Sequence, residues 1–276
     1  MKHPLPWKES DIKGVPYVQT DFDFEKFNIK KQKPRIIILG DYISIHRGNK
    51  WGQTNVSYPE LLDDKLSHTF EIINTSAVFY SLPEEMAMLK NKAIYYNPDI
   101  IIIGYVFNDL YLKNSYHAII PLALKNNICK LRIITPLALK YFEILNKNKY
   151  YSKAYEHAPG IVKFYADLYS NPKLINVLKD SLSELGQIKK EKKIEVIFVI
   201  MPIFYDFEDK NLNYINDIVS KECQKAGIDY INILEVFKTY KVMELKEDDG
   251  DVWHPNSLGR EIIASEIYKR IVDKNN

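Results

Sequence analysis

Asp251 and His254 stand three residues apart in the segment Asp248-Asp249-Gly250-Asp251-Val252-Trp253-His254-Pro255-Asn256. On a turn, that spacing lets the carboxylate bond one imidazole nitrogen. Such a bond fixes the tautomer, stabilises the imidazolium and leaves the other nitrogen to act as a base. A solitary D-x-x-H is more often an acidic capping turn beside a surface histidine. Here Pro-Asn follows, a helix begins, and the segment closes the chain's last loop.

Other chemistries fare worse. Asp41, Asn108 and His254 fall on loops that can meet, but no H-x-H or H-E-x-x-H spacing accompanies them, so no metal site is expected. No cofactor is expected either. Cys129 and Cys223 lie far apart without ligand spacing and read as reduced core thiols.

The base pair needs a scaffold, and the chain has the pattern of one. Pro34 to Leu39 is a β-branched run ending in Gly40-Asp41, a buried strand entering a loop. A helix starts near Tyr58-Pro59-Glu60, with Pro59 suited to a first helical position. Strands are expected at Phe70 to Asn74, Ile100 to Gly104, Val196 to Ile200 and around Tyr230 to Ile233. Helices are expected over Pro83 to Tyr96, Asn211 to Ala226 with Gly227 as the stop, and Ser257 to Val272. This alternation implies a mostly parallel five-stranded sheet covered on both faces. Residues 1–33 read as an N-terminal arm, and 34–276 as one domain. From about 112 to 169 the rhythm fails, and the tyrosine- and lysine-rich stretch reads as a helical insertion.

Sites in open parallel sheets form beyond the carboxyl ends of the strands. Four segments are expected on that rim: Gly40-Asp41-Tyr42, Asn74 to Ser81, Gly104 to Asp109, and the Asp251–His254 segment.

The pieces ILGDYIS, YPELLDDKL, INTSAVFYS, PDIIIIGYVFNDL and DVWHPNSLG occur in this order. A hydrophobic strand ending in G-x-x-x-N-D, joined to a C-terminal D-x-x-H-P-N, is the specific part. On these motifs the chain resembles the SGNH hydrolases, the GDSL-type esterases and lipases, from about Arg35 to Ile271 outside the insertion. The resemblance implies a flavodoxin-like three-layer α/β/α sandwich and acyl-ester hydrolase ancestry. It implies His254 as general base, Asp251 as its orienting partner, and Asn108 as the side chain that donates to an oxyanion. Asp109 would hold the loop, and Asp41 would lie beside the substrate.

The resemblance fails at two positions. The family's nucleophilic serine falls on Tyr42, and its oxyanion glycine falls on Phe79, with an earlier glycine of that loop falling on Ser76. A phenol oxygen reaches about 4–5 Å further from the backbone than a serine oxygen, so the ring would occupy the space of a substrate carbonyl. Tyr42 as nucleophile or general acid, or a displaced Ser44, Ser76 or Ser81, are the alternatives that the residues leave open. Two readings follow: an altered enzyme acting on a small-molecule or carbohydrate ester, and an inactive pseudoenzyme that binds or scaffolds.

The bulk composition narrows the partners. Thirty-eight basic against 36 acidic residues leave a net charge of +2, no electrostatic reason for a nucleic-acid partner. No stretch approaches the ~20 apolar residues of a membrane span, and the N-terminus has no apolar run of a signal peptide, so a cytoplasmic location is expected. The tyrosine-rich insertion is a candidate surface for a protein partner.

Overall fold

The computed structural model describes residues 29–45, 56–77, 80–110, 158–249 and 251–275. Five strands, β1 (Arg35–Gly40), β2 (Glu71–Asn74), β3 (Ile100–Val106), β4 (Glu195–Met201) and β5 (Asp229–Asn232), form one sheet in the order β2-β1-β3-β4-β5. Every pairing is parallel. The three inner strands carry long apolar runs, buried nearly throughout, as strands covered on both faces must be. The edge strands are four residues each and only partly buried.

The helices are α1 (Tyr58–Leu66), α2 (Leu82–Asn91), α3 (Ala158–Tyr169), α4 (Pro172–Lys192), α5 (Lys210–Ala226), the short α6 (Ile233–Phe237) and α7 (Val242–Leu245), and α8 (Ser257–Asn275). They fall into two packed groups. α1 lies against α8, while α4 packs on α2, α3 and α5. The sheet lies between them, giving the three-layer α/β/α sandwich.

Local chemistry sets the starts. Ser57 and Glu60 form a reciprocal capping box before α1, and Pro59 sits in its first turn. Asn171 caps α4 by accepting the Lys173 N–H.

The structure corrects several boundaries. The helix expected over Pro83 to Tyr96 breaks at Lys92: α2 stops at Asn91, a short 3₁₀ turn covers Ala93–Tyr96, and Asn97 is left-handed at φ 53°. Ile233 belongs to a helix rather than to β5. Of the expected insertion, the described part is α3, which is helical; the rest lies outside the described residues. α4 follows directly and is not among the helices that the sequence pattern predicts. Most of the expected N-terminal arm also lies outside the described residues. Of its last residues, Ile29 packs on the core and Lys31 pairs with Asp99.

No helix among the described residues is long and apolar enough to cross a membrane.

Candidate active site

The carboxyl ends of β1 and β3 are paired glycine to glycine, Gly40 with Gly104. A Cβ on Gly104 would come 2.5 Å from Tyr58 Oη and 2.7 Å from Ser44 Oγ; one on Gly40 would come 2.2 Å from Ser44 Oγ. The missing side chains make room for a buried hydrogen bond of 2.9 Å between Ser44 and Tyr58. Ser44 is therefore directed into the core, where its hydroxyl is engaged.

After β1, Asp41 caps a 3₁₀ turn over Tyr42–Ser44, its Oδ1 accepting the Ile43 N–H at 2.8 Å. This short cap directs the Tyr42 ring toward the C-terminal loop. The rings of Tyr42 and His254 meet at 4.4 Å between centroids and 81° between planes. The Tyr42 hydroxyl lies 3.3 Å from His254 Nδ1.

That same nitrogen is hydrogen-bonded to Asp251 Oδ2. The other Asp251 oxygen accepts the backbone N–H groups of Trp253 at 2.8 Å and His254 at 3.0 Å. One carboxylate thus folds the turn and holds the ring. The D-x-x-H spacing works because the carboxylate reaches forward over two peptide groups.

The loop is fixed on its far side as well. The Glu247 N–H donates to the His254 carbonyl at 3.0 Å, and Lys246 bridges Pro255. Asn256 donates to Glu244 O and accepts the Gly259 N–H, which accounts for the asparagine after His-Pro. The buried Arg260 donates to the Pro255 carbonyl at 2.7 Å and to Glu247 at 3.2 Å. Sequence reasoning missed Arg260, which carries no local motif.

Burial, with the positive Arg260 nearby, pushes the His254 imidazolium down to about 4. The Asp251 carboxylate at Nδ1 pulls in the opposite direction. On balance the ring is neutral at pH 7 and able to accept a proton.

Asn108 and Asp109 lie on a 3₁₀ turn, Phe107–Leu110, directly after β3. The Asn108 side-chain amide lies near the Asp41 carboxylate and holds its pKa down against burial, which links the oxyanion candidate to the turn of Tyr42. An amide has two N–H donors, so one can face Asp41 while the other serves another acceptor. Asp109 is fully buried, and its Oδ2 accepts the Val106 N–H at 2.6 Å.

Ser76 is buried beside β1: its neighbour Ala77 donates to Gly40 O at 3.0 Å, and the Ser76 N–H donates to Asn74 Oδ1 at 3.1 Å. Its hydroxyl has no hydrogen-bond partner among the described residues. Phe79 lies outside the described residues.

A third carboxyl group sits beneath the rim. Glu85 of α2 is fully buried, and neither of its carboxyl oxygens has a hydrogen-bond partner among the described residues. Burial first, and then the Asp41 charge, push it well above the usual carboxylate range. Burial, Glu85 and Asp41 do the same to Asp109. Asp41 is raised to about 6 by burial, against the hydrogen bonds from Ile43 and Asn108. Glu85 was missed because Glu84-Glu85 after Pro83 reads as the solvated first turn of a helix. Among the described residues no group of histidine, cysteine or carboxylate side chains is placed to hold a metal ion.

A cavity of about 930 Å³ opens at the opposite end of the sheet, lined by Pro34, Ile100, Glu195 and Lys274 among others. It contains none of the groups that bear on ester chemistry.

No family model matches the chain, and no curated protein matches it. Solved structures do. The lipase/acylhydrolase from Enterococcus faecalis superposes with a TM-score of 0.53 at 12% identity, over 87% of this chain and 96% of that one. Axe2, an acetylxylan esterase from Geobacillus stearothermophilus, gives 0.52 at 14%, over 86% and 94%. The acetyl xylan esterase AlAXEase gives 0.50 at 13%, over 86% and 99%. The chain has the fold of these esterases and this lipase/acylhydrolase.

Proposed function

We propose that this chain is an SGNH-type ester hydrolase or acyl transferase without a serine nucleophile, acting on a small or O-acylated carbohydrate ester. The observation that carries the reading is the Asp251 carboxylate bonded to Nδ1 of the buried His254. A ring held in this orientation directs its Nε2 as the candidate base.

With Nδ1 engaged by Asp251, Nε2 takes a proton from a water or acceptor hydroxyl as its oxygen adds to the ester carbonyl. The developing oxyanion is met by the second N–H of the Asn108 amide. Collapse expels the alkoxide, which takes the proton back from His254, giving acid and alcohol, or a transferred acyl group when the acceptor is a hydroxyl. Tyr42 stands where a serine would and serves as the wall that keeps the imidazole in place. The acetylxylan esterases of the same fold support an acylated carbohydrate as the substrate class.

The test is hydrolysis of p-nitrophenyl acetate and of acetylated xylose by the purified chain and by His254→Ala. Turnover that falls roughly 10²- to 10⁴-fold in the variant supports the reading. Absence of turnover, with no difference between the two proteins, rejects it.

A second reading is favoured by one observation: the Tyr42 hydroxyl contacts the nitrogen already held by Asp251, closing a three-residue cluster on itself. In that reading the site binds an ester or sugar without turning it over. Saturable binding of acetylated xylose by the inactive chain would establish it.

A further inference from the structure

We propose that Tyr165 and Tyr169 are positioning residues through which a single helix, α3, sets both the base loop and the Asn108 turn. The proposal rests on the reading of His254 and Asn108 as partners in one site. The two tyrosines are four residues apart, hence on one face of the helix and separated by about 6 Å along its axis.

Tyr169 ends α3, and its hydroxyl donates to the Phe107 carbonyl at 3.2 Å. A carbonyl can only accept, so the single Tyr169 proton is committed there. Tyr105 of β3, which is hydrogen-bonded to the Tyr169 hydroxyl, must then be the donor in that pair. The chain of donors runs from Tyr105 through Tyr169 to Phe107, and all three residues are buried. In a low-dielectric interior such a directed chain is strong, and a missing member is costly. The Phe107 ring also packs on Tyr169, 6.0 Å between centroids.

Phe107 opens the 3₁₀ turn that carries Asn108. Asp109 holds that turn from within through the Val106 N–H, and Tyr169 holds it from outside. One helical turn earlier, the buried Tyr165 ring meets Trp253 edge to face, at 5.7 Å and 87°. Trp253 precedes His254 and donates its backbone N–H to Asp251. Moving α3 therefore shifts the oxyanion candidate and the base loop together.

Ordinary core packing also places aromatics against neighbours, so the test must read the site itself. We would record the Asn108 side-chain amide and His254 imidazole resonances by NMR in the full chain. Tyr169→Phe keeps the ring and removes the donor. It should shift the Asn108 amide signals and leave those of His254 close to wild type. Tyr165→Leu should do the reverse. Tyr105→Phe and Trp253→Phe perturb the same two contacts from the other side and stand in for any variant that fails to fold. Tyr240→Phe, at an exposed position, is the control and should change neither set.

In ester hydrolysis, the first two variants should lower kcat roughly ten- to hundredfold with KM unchanged. Unmoved Asn108 signals in both Tyr169→Phe and Tyr105→Phe overturn the proposal. So does a uniform loss of melting temperature with no site-selective shift. The resonances are read without turnover. A wild-type chain that hydrolyses nothing sinks the hydrolase reading but leaves the positioning claim to be decided by the spectra.

Discussion

The Tyr42 hydroxyl lies 3.3 Å from His254 Nδ1, on the nitrogen that the Asp251 carboxylate also holds. In a Ser-His-Asp triad the nucleophile is activated by the ring nitrogen opposite the aspartate, so a tyrosine in this pose is not a longer serine. It packs on the base, with ring centroids 4.4 Å apart.

Restoring serine chemistry should therefore need two changes. Tyr42→Ser alone frees the space of the ring but leaves Phe79 where the resemblance places an oxyanion glycine. We expect Tyr42→Ser to remain unlabelled by a serine-directed phosphonate. Tyr42→Ser with Phe79→Gly should be labelled at position 42 and should gain hydrolysis of p-nitrophenyl esters. Mass spectrometry of the labelled chain decides. Labelling of the single variant would show that Phe79 does not block the site, and no labelling of either would show that the surrounding geometry is not that of a triad.

The pH response of His254 follows from its depressed pKa of about 4 against an ordinary 6.5. Between those values an unfolded chain binds the proton and the folded chain does not. Stability contributed by the neutral ring is thus present above 6.5 and is lost as pH falls toward 4. His254→Gln should flatten the decline of the urea midpoint across that window. Hydrolysis that depends on the base form should rise with pH through about 4 and then level off. An acid limb near 6.5 in the rate profile would contradict both expectations.

The parts of this site that could be read from sequence are those whose partners are close in the chain. D-x-x-H-P-N is such a case: Asp251 reaches two and three residues forward, and Asn256 accepts the Gly259 N–H. The inner strands were legible because their apolar runs are almost unbroken. α4 does have local signals, with Asn171-Pro172 at its start and buried Leu178, Leu182 and Leu185 at spacings of four and three, but it follows the helical insertion without a strand between to mark it as a separate element. Other features had no local trace. Tyr105 and Tyr169 are 64 residues apart, and Tyr42 and His254 are 212 apart. Arg260 looks like any charged residue in the first turns of α8 until the Pro255 carbonyl is found above it. Long-range polar partners are selected by the fold and leave no period in the sequence.

The carboxyl cluster gives a pH dependence of the opposite sign. Asp41, at about 6, and the higher-titrating Glu85 and Asp109 all bind protons more tightly folded than unfolded. Their contribution to stability is fully present below the unfolded values near 4 and is lost as pH rises through the folded ones. Glu85→Gln removes the ionisable group that the Asp41 charge helps to raise. We expect the variant to lose less stability than the wild type between pH 5 and pH 8. Urea denaturation at the two pH values measures this directly. An unchanged difference would mean that Glu85 is ionised in the folded chain over that range, just as it is in the unfolded one.

The floor of the site depends on the absence of two side chains. An alanine methyl at position 104 would lie 2.5 Å from Tyr58 Oη, 2.7 Å from Ser44 Oγ and 3.3 Å from Met201 Cε. Methionine can move, but Tyr58 and Ser44 are buried and bonded to each other at 2.9 Å. Gly104→Ala should therefore cost about 1–3 kcal/mol, the usual range for overpacking a filled core. The displaced atoms lead through Ser44 to the turn of Tyr42, so the variant should also alter the contact of Tyr42 with His254. Tyr58→Phe removes the clashing oxygen. Combined with Gly104→Ala it should recover part of the lost stability, and thermal melts of the single and double variants give the coupling. Strict additivity of the two substitutions would show that the methyl is accommodated by a shift elsewhere, away from the Ser44–Tyr58 pair.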